Sequence, residues 1–222
     1  MKFRIIMAML LAALLAVPAK GQESEPQHWA PTLGARAAME VTVPSGGRNF
    51  YRTGAGLTAG VTIYMPLPRN FYFEPGVLMS YTAMTAKDLV SFDDEYYYEG
   101  AANVYSLRIP LMFGYSYMPT ALWRFDFATG PWLNINLSAR QRLNPNFSAP
   151  EIVPDRTVNL FRHGWKRVDA LWGIALSATF ADHYTIGITA GVAFTPLARY
   201  GDRDKKIRIH RNTIALSLGY NF

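Results

Sequence analysis

The chain has 222 residues, 50% of them hydrophobic and only 17% charged, with a formal net charge of +6 and no cysteine. The lack of cysteine excludes a disulfide framework and a lipid anchor carried on a cysteine. The basic excess is too weak to imply nucleic acid, no residue pattern asks for a cofactor, and a single domain of about 200 residues is the simplest organisation.

At the amino-terminus Lys2 and Arg4 precede an apolar run over 5–17, followed by Pro18, Ala19, Lys20 and Gly21. A short basic start, an apolar stretch and small residues at the cleavage point mark an export signal. The run is too short for the ~20 residues of a membrane-spanning helix. Cleavage before Gln22 is expected, giving a signal peptide over 1–21 and one domain over 22–222. The leader takes three of the 22 basic residues, leaving 19 against 16 acids. No later run approaches the ~18 consecutive apolar residues of a spanning helix.

From residue 32 onward the chain reads at period two, and eight strands are predicted over 32–43, 53–65, 71–84, 104–117, 122–137, 166–180, 184–195 and 208–222. Each exceeds the ~9–11 residues that a tilted strand needs to cross a membrane. The alternation is cleanest over 184–195, where Tyr184, Ile186, Ile188, Ala190, Val192 and Phe194 oppose Thr185, Gly187, Thr189, Gly191, Ala193 and Thr195. The second set is too small for a water-facing side and suits a narrow lumen. In the last strand Ile214, Leu216, Leu218, Tyr220 and Phe222 oppose Ala215, Ser217, Gly219 and Asn221. The connections 66–70, 118–121 and 181–183 are tight, whereas 44–52, 85–103, 138–165 and 196–207 are long or polar. These features together predict an all-β fold, an eight-stranded antiparallel up-and-down transmembrane β-barrel in the outer membrane of a Gram-negative bacterium.

The outward parity gathers Leu33, Met39 and Val41, then Leu57, Val61 and Ile63, then Phe71, Phe73, Val77 and Met79. It continues through Leu107, Ile109, Leu111, Phe113, Phe125, Phe127, Leu133, Trp172, Ile174 and Leu176, and no charge interrupts it. Aromatic residues mark its ends, with Phe71, Tyr117, Trp123, Phe180, Tyr184 and Phe222 on one side and Tyr81, Tyr105 and Phe194 on the other, as interfacial girdles require. The inward parity carries Arg36, Glu40, Glu74, Arg108, Arg124, Asp126 and Asp169. An ion path is one reading of these charges. The other, which we carry forward, is a paired network filling a barrel only just wide enough for side chains. Pro75, Pro110 and Pro131 fall inside strands, and each is read as the loss of one ladder bond rather than a strand end.

The segments Tyr105-Ser-Leu-Arg-Ile-Pro-Leu-Met-Phe-Gly-Tyr115, Phe127-Ala-Thr-Gly-Pro-Trp132, Val168-Asp-Ala-Leu-Trp-Gly173 and Ile214-Ala-Leu-Ser-Leu-Gly-Tyr-Asn-Phe222 resemble successive strands of the PorT-like outer-membrane β-barrel proteins of the Bacteroidota. The resemblance spans the mature chain and implies an eight-stranded outer-membrane barrel. Its namesake takes part in type IX protein secretion, so an accessory role there is an alternative function.

Chemistry is sparse. His28, His163, His183 and His210 show no metal-like spacing, and neither a catalytic, a cofactor-binding nor a metal site is expected. A lipid-modifying enzyme would have to combine His163 and Asp169 with Ser138 or Ser148, and a small pore would need a wet lumen. The second long loop holds Asp88, Asp93, Asp94, Glu95 and Glu99 around Tyr96, Tyr97 and Tyr98, while Arg199, Arg203, Lys205, Lys206, Arg208 and Arg211 crowd the fourth. The expected function is therefore non-enzymatic, with external loops for binding or assembly. Its expected partners are outer-membrane lipid and lipopolysaccharide, a protein met through the loops, and the barrel-assembly machinery, which would read Phe222.

Overall fold

The computed structural model describes residues 30–46, 51–86, 90–91, 97–99, 101–145, 156–200 and 207–222. Eight long strands form the wall: β1 (Thr32–Ser45), β2 (Gly54–Pro66), β3 (Phe71–Thr85), β4 (Ala101–Tyr117), β5 (Trp123–Pro145), β6 (Val168–Phe180), β7 (Tyr184–Ala193) and β8 (Ile207–Asn221). Each pairs antiparallel with its sequence neighbour, and β8 pairs back onto β1 from Gly34↔Asn221 to Ser45↔His210. That last ladder closes the sheet into a barrel and leaves the wall no free edge.

Alternation decides which face each side chain takes. On β7 and β8, Ile186, Ile188, Val192, Ile214, Leu216 and Leu218 are all exposed, whereas Thr185, Gly187, Gly191, Thr213 and Ala215 are buried. The same holds around the wall, from Leu33, Met39 and Val41 on β1 to Trp172, Ile174 and Leu176 on β6. A broad apolar belt of this kind has no favourable place in water and fits lipid.

At one end of the barrel the connections are short, and we call it the turn end. One carries a 3₁₀ turn, Pro68–Asn70; another places Ala181 and Asp182 at φ 48° and 58°, left-handed values that tighten the hairpin into β7. Aromatic rings ring this end: Phe71 stacks on Phe113, Trp123 meets Phe180, and Tyr184 and Phe222 both meet Tyr220 edge-on.

Pro75, Pro110 and Pro131 lie together across β3, β4 and β5. The β3–β4 ladder skips from Pro75↔Leu111 to Leu78↔Arg108 and the β4–β5 ladder from Pro110↔Trp132 to Phe113↔Thr129, in both cases without a change of register. Missing N–H donors thus open local gaps and do not end the strands.

At the opposite, loop end the wall rises higher than the sequence reading placed it. The strand expected to stop at 137 runs on to Pro145, and Arg156–Asn159 pairs with it inside what had been read as one loop over 138–165. A bulge is the reason: Tyr105 faces Ser138 and Ser106 faces Asn136, so Leu137 is an extra residue and the alternation reverses beyond it. Short strands Val90–Ser91, Tyr97–Glu99 and Ala198–Tyr200 extend the loop end further. The expected signal peptide over 1–21, His28, Tyr96, Ser148, Arg203, Lys205 and Lys206 lie outside the described residues.

Candidate functional site: the charged lumen and its cap

Inside the barrel the charged residues form two levels. Near the turn end Arg36 Nη2 lies 3.2 Å from Glu74 Oε1, and Arg124 Nε lies 3.2 Å from Asp126 Oδ2. The Arg124 guanidinium also sits 4.5 Å from the centre of the Tyr64 ring and 3.7 Å from Asp182 in the hairpin turn. Ser116 donates to Asp126, and its hydroxyl lies 3.0 Å from that of Tyr64. Arg36 and Glu74 keep partial contact with solvent, at 15% and 20% exposure, while Ser116 and Asp126 are buried.

Nearer the loop end lies a fully enclosed level. Arg108 Nη1 donates to Glu40 Oε2 at 2.8 Å, and Thr58, Ser80 and Thr82 donate to the same carboxylate at 3.0–3.3 Å. Arg108 Nε donates to Asn134 Oδ1, and Asn134 and Asn136 donate in turn to Asp169. Arg211 completes the chain, with Nη2 at 2.9 and 3.1 Å from the two Asp169 oxygens. One continuous network therefore joins β1, β2, β3, β4, β5, β6 and β8 across the lumen.

Arg211 corrects the sequence reading, which grouped it with the basic residues of the fourth loop. It faces inward on β8, 1% exposed, and turns three cations against four carboxylates into four against four. Burial of a carboxylate is tolerable only with such partners, so Asp169 requires it. The signal was present in the alternation, because Arg211 shares the inward parity of Thr213 and Ala215.

Strand β7 sends no polar group into this network. Its small residues make room instead: a Cβ added at Gly191 would come within 2.8 Å of the Trp132 ring, and one at Gly173 on β6 within 2.3 Å. Trp132 thus crosses the lumen from β5 and packs with Tyr64, Tyr72, Met112 and Leu171, its ring 5.2 Å from the Arg108 guanidinium. Between the two charged levels remains a cavity of about 130 Å³, lined by Arg36, Thr58, Thr62, Glu74, Ser177 and Ser217 among others.

Above the enclosed level the loop end is capped by apolar side chains, of which Tyr51, Leu160, Trp165 and Leu197 come from predicted connections and Met84, Val104 and Ile209 from predicted strands. Tyr51, Met84, Val104, Leu160, Trp165, Leu197 and Ile209 pack together at 4% exposure or less. Leu160 is brought in by a 3₁₀ turn (Leu160–His163) that Asn159 caps and Gly164 ends at φ 86°. Tyr51 meets Trp165 edge-on and donates to Gln141 at 3.3 Å.

The remaining candidates fall elsewhere. Asp169 is committed to the lumen network, while Ser138 lies on the outward side of the bulged β5, so the wall separates them. His183 stacks on Tyr220 at the turn end, with Nδ1 2.7 Å from the Asn221 carbonyl. Tyr97 and Tyr98 belong to a short strand that pairs with Val90–Ser91 and with the end of β5.

A closed antiparallel eight-stranded wall with a lipid-fitting exterior defines an integral outer-membrane β-barrel protein. Residues 22–199 match the family described as "Outer membrane protein beta-barrel domain", and the chain belongs to that family. Its place is accordingly the outer membrane of a Gram-negative bacterium. Among solved structures it is similar to Neisserial surface protein A, at 11% identity and a TM-score of 0.44, covering 86% of this chain and 97% of that one. It is also similar to Ail of Yersinia pestis, at 12% identity and 0.37, with the same coverage. A third likeness is to the amino-terminal barrel domain of OprF from Pseudomonas aeruginosa, at 15% identity and 0.32, covering 85% and 97%. No curated protein matches the chain.

Proposed function

We propose that this protein is a sealed, non-enzymatic outer-membrane barrel whose work is done by contacts at its external loop end. The observation that carries this reading is the lumen itself: a hydrogen-bonded layer spanning seven strands, with its ion-paired groups at 4% exposure or less, lies beneath an apolar cap. Such a layer supplies mechanical filling and leaves transport without a path. The separation of Asp169 from Ser138 argues against the lipid-modifying alternative.

Purified protein in planar bilayers should show no steady conductance, and reproducible channels from the wild type would overturn the sealed reading. Within the family, the strand motifs around Arg108, Trp132 and Asp169 support a place among the PorT-like proteins of the Bacteroidota. A role beside type IX secretion would show as co-purification with secretion components from native outer membranes.

A further inference from the structure

At the loop end the outward face of the wall carries a compact group of cations. Ala198–Tyr200 pairs with the start of β8, and Arg199 and Arg208 are direct register partners, both exposed. Directly opposed residues of an antiparallel pair have Cβ atoms about 5 Å apart, where like charges destabilise. On the other side, Trp165 bridges to Ala198, both facing inward, while the Arg199 N–H donates to the Gly164 carbonyl and the Lys166 N–H to the Leu197 carbonyl. Lys166 therefore falls on the outward parity, diagonal to Arg199. Gly164, opposite Arg199, leaves the space between them bare. Three cations, from the short strand Ala198–Tyr200, the start of β8 and the approach to β6, share one face within about 10 Å. Among the described residues no carboxylate lies on that face, and the intervening stretch 201–206 holds Asp202 and Asp204 against Arg203, Lys205 and Lys206.

Their height along the wall identifies what they meet. A strand tilted about 40° climbs roughly 2.6 Å per residue, so an apolar band ~25 Å tall spans about ten residues. Counted from Phe222, the band on β8 ends near Asn212, the first polar residue on the outward parity, which bonds to Ser45 and to the Ala193 N–H. Arg208 stands four residues higher and Lys166 just above the exposed Val168, so both reach the polar layer bordering the hydrocarbon. Flexible cationic side chains at that depth extend to the lipid headgroups.

We propose that Lys166, Arg199 and Arg208 form a binding site for the phosphate groups of a phosphorylated outer-leaflet lipid. The bound phosphate relieves the repulsion between Arg199 and Arg208 and fixes the barrel's height and rotation in the leaflet. This deepens the reading of the loop end as a contact surface.

The test is native mass spectrometry of the whole mature barrel released from mixed micelles. Its arms use diphosphorylated lipid A, lipid A stripped of both phosphates, and inorganic phosphate alone. Wild-type protein should retain the diphosphorylated lipid at least about tenfold better than the stripped lipid, and a Lys166→Ser, Arg199→Ser, Arg208→Ser variant should lose that preference. Equal retention of both lipids by the wild type, or an unchanged preference in the folded variant, would overturn the site. So would inorganic phosphate displacing the lipid, since the patch would then serve a soluble anion. If the variant does not fold, the two lipid arms on the wild type still decide. Conductance is a separate readout, so failure here leaves the sealed lumen untouched.

Discussion

The two halves of the lumen use the same chemistry in different surroundings. Each holds two arginine–carboxylate pairs, at N–O distances of 2.8 and 2.9 Å in the half nearer the loop end, which the proposed orientation makes the outer half, and 3.2 Å in the half nearer the turn end, which it makes the periplasmic half. The pairs nearer the loop end sit at 0–4% side-chain exposure beneath the apolar cap, while Arg36 and Glu74 keep 15% and 20%, and Arg124 and Asp126 lie between at 13% and 5%. An ion pair in contact with water loses little when one partner goes, because water solvates the other. An enclosed pair cannot be halved without leaving a stranded charge. The contrast marks the loop-end half as the rigid stop of the barrel and the Arg36–Glu74 pair of the turn-end half as its wetter side.

The largest effect should come from halving an outer pair. Arg211→Ala leaves Asp169 with only Asn134 and Asn136, and Arg108→Ala leaves Glu40 with three hydroxyl donors, so each should cost about 3–5 kcal/mol. Unfolding in detergent, followed by the shift between folded and heat-denatured bands on a gel, measures it. A second change, Asp169→Asn added to Arg211→Ala, should recover part of the loss. If Arg211→Ala is no more harmful than Arg36→Ala, the division into a dry and a wet half is wrong.

Next in size is the lipid face that both halves share. Arg placed at Ile188 or Leu176, register partners on β7 and β6 and both exposed at mid-belt, should cost about 2–4 kcal/mol. The same residue placed at Phe222, in the interfacial girdle, should cost far less. Equal tolerance at both depths, in refolding titrations into lipid vesicles, would remove the orientation on which outer and periplasmic are assigned.

How much of this was legible in the sequence follows from where alternation is strong. Where one face meets lipid and the other the lumen, period two is enforced at every residue, and the strand beginning at Phe71 or Tyr184 starts where the pattern does. Above the lipid that contrast fades. Ser138, Arg140 and Gln141 read as loop because the bulge at Leu137 reverses the parity and both faces turn polar. Arg211 hid within a basic run, although its inward parity was there to count. The cap was illegible for another reason: Leu160, Trp165 and Leu197 are single apolar residues in polar connections, and only the closed wall brings them together.

A smaller effect is expected in the periplasmic half. Arg36→Ala breaks the 3.2 Å contact with Glu74, but both groups reach water, so the cost should be about 1 kcal/mol. Raising the salt concentration should shrink the difference between Arg36→Ala and the wild type, because exposed pairs are screened, and leave the Arg211→Ala deficit almost unchanged. A salt-independent Arg36→Ala deficit, read from the same gel shift, would move that pair into the dry class.

The smallest effect on the folded barrel, and the most informative about how it forms, is expected from deleting Phe222. The residue is 69% exposed; its N–H donates to the Leu33 carbonyl at 2.9 Å and its ring meets Tyr220 edge-on at 5.3 Å. One net hydrogen bond is worth about 0.5–1.5 kcal/mol, and a largely lipid-exposed ring adds little within the protein. Protein already folded should therefore resist heat almost as the parent does. The bond nevertheless lies on the β1–β8 seam, the ladder that joins the first strand to the last, and the aromatic end is the feature expected to guide insertion. The amount of assembled protein in outer-membrane fractions should fall more steeply than the unfolding midpoint. A truncated chain that reaches the outer membrane at normal levels would show that closure needs no terminal aromatic, and would leave Tyr220 and the girdle around it as the sole anchor of the periplasmic end.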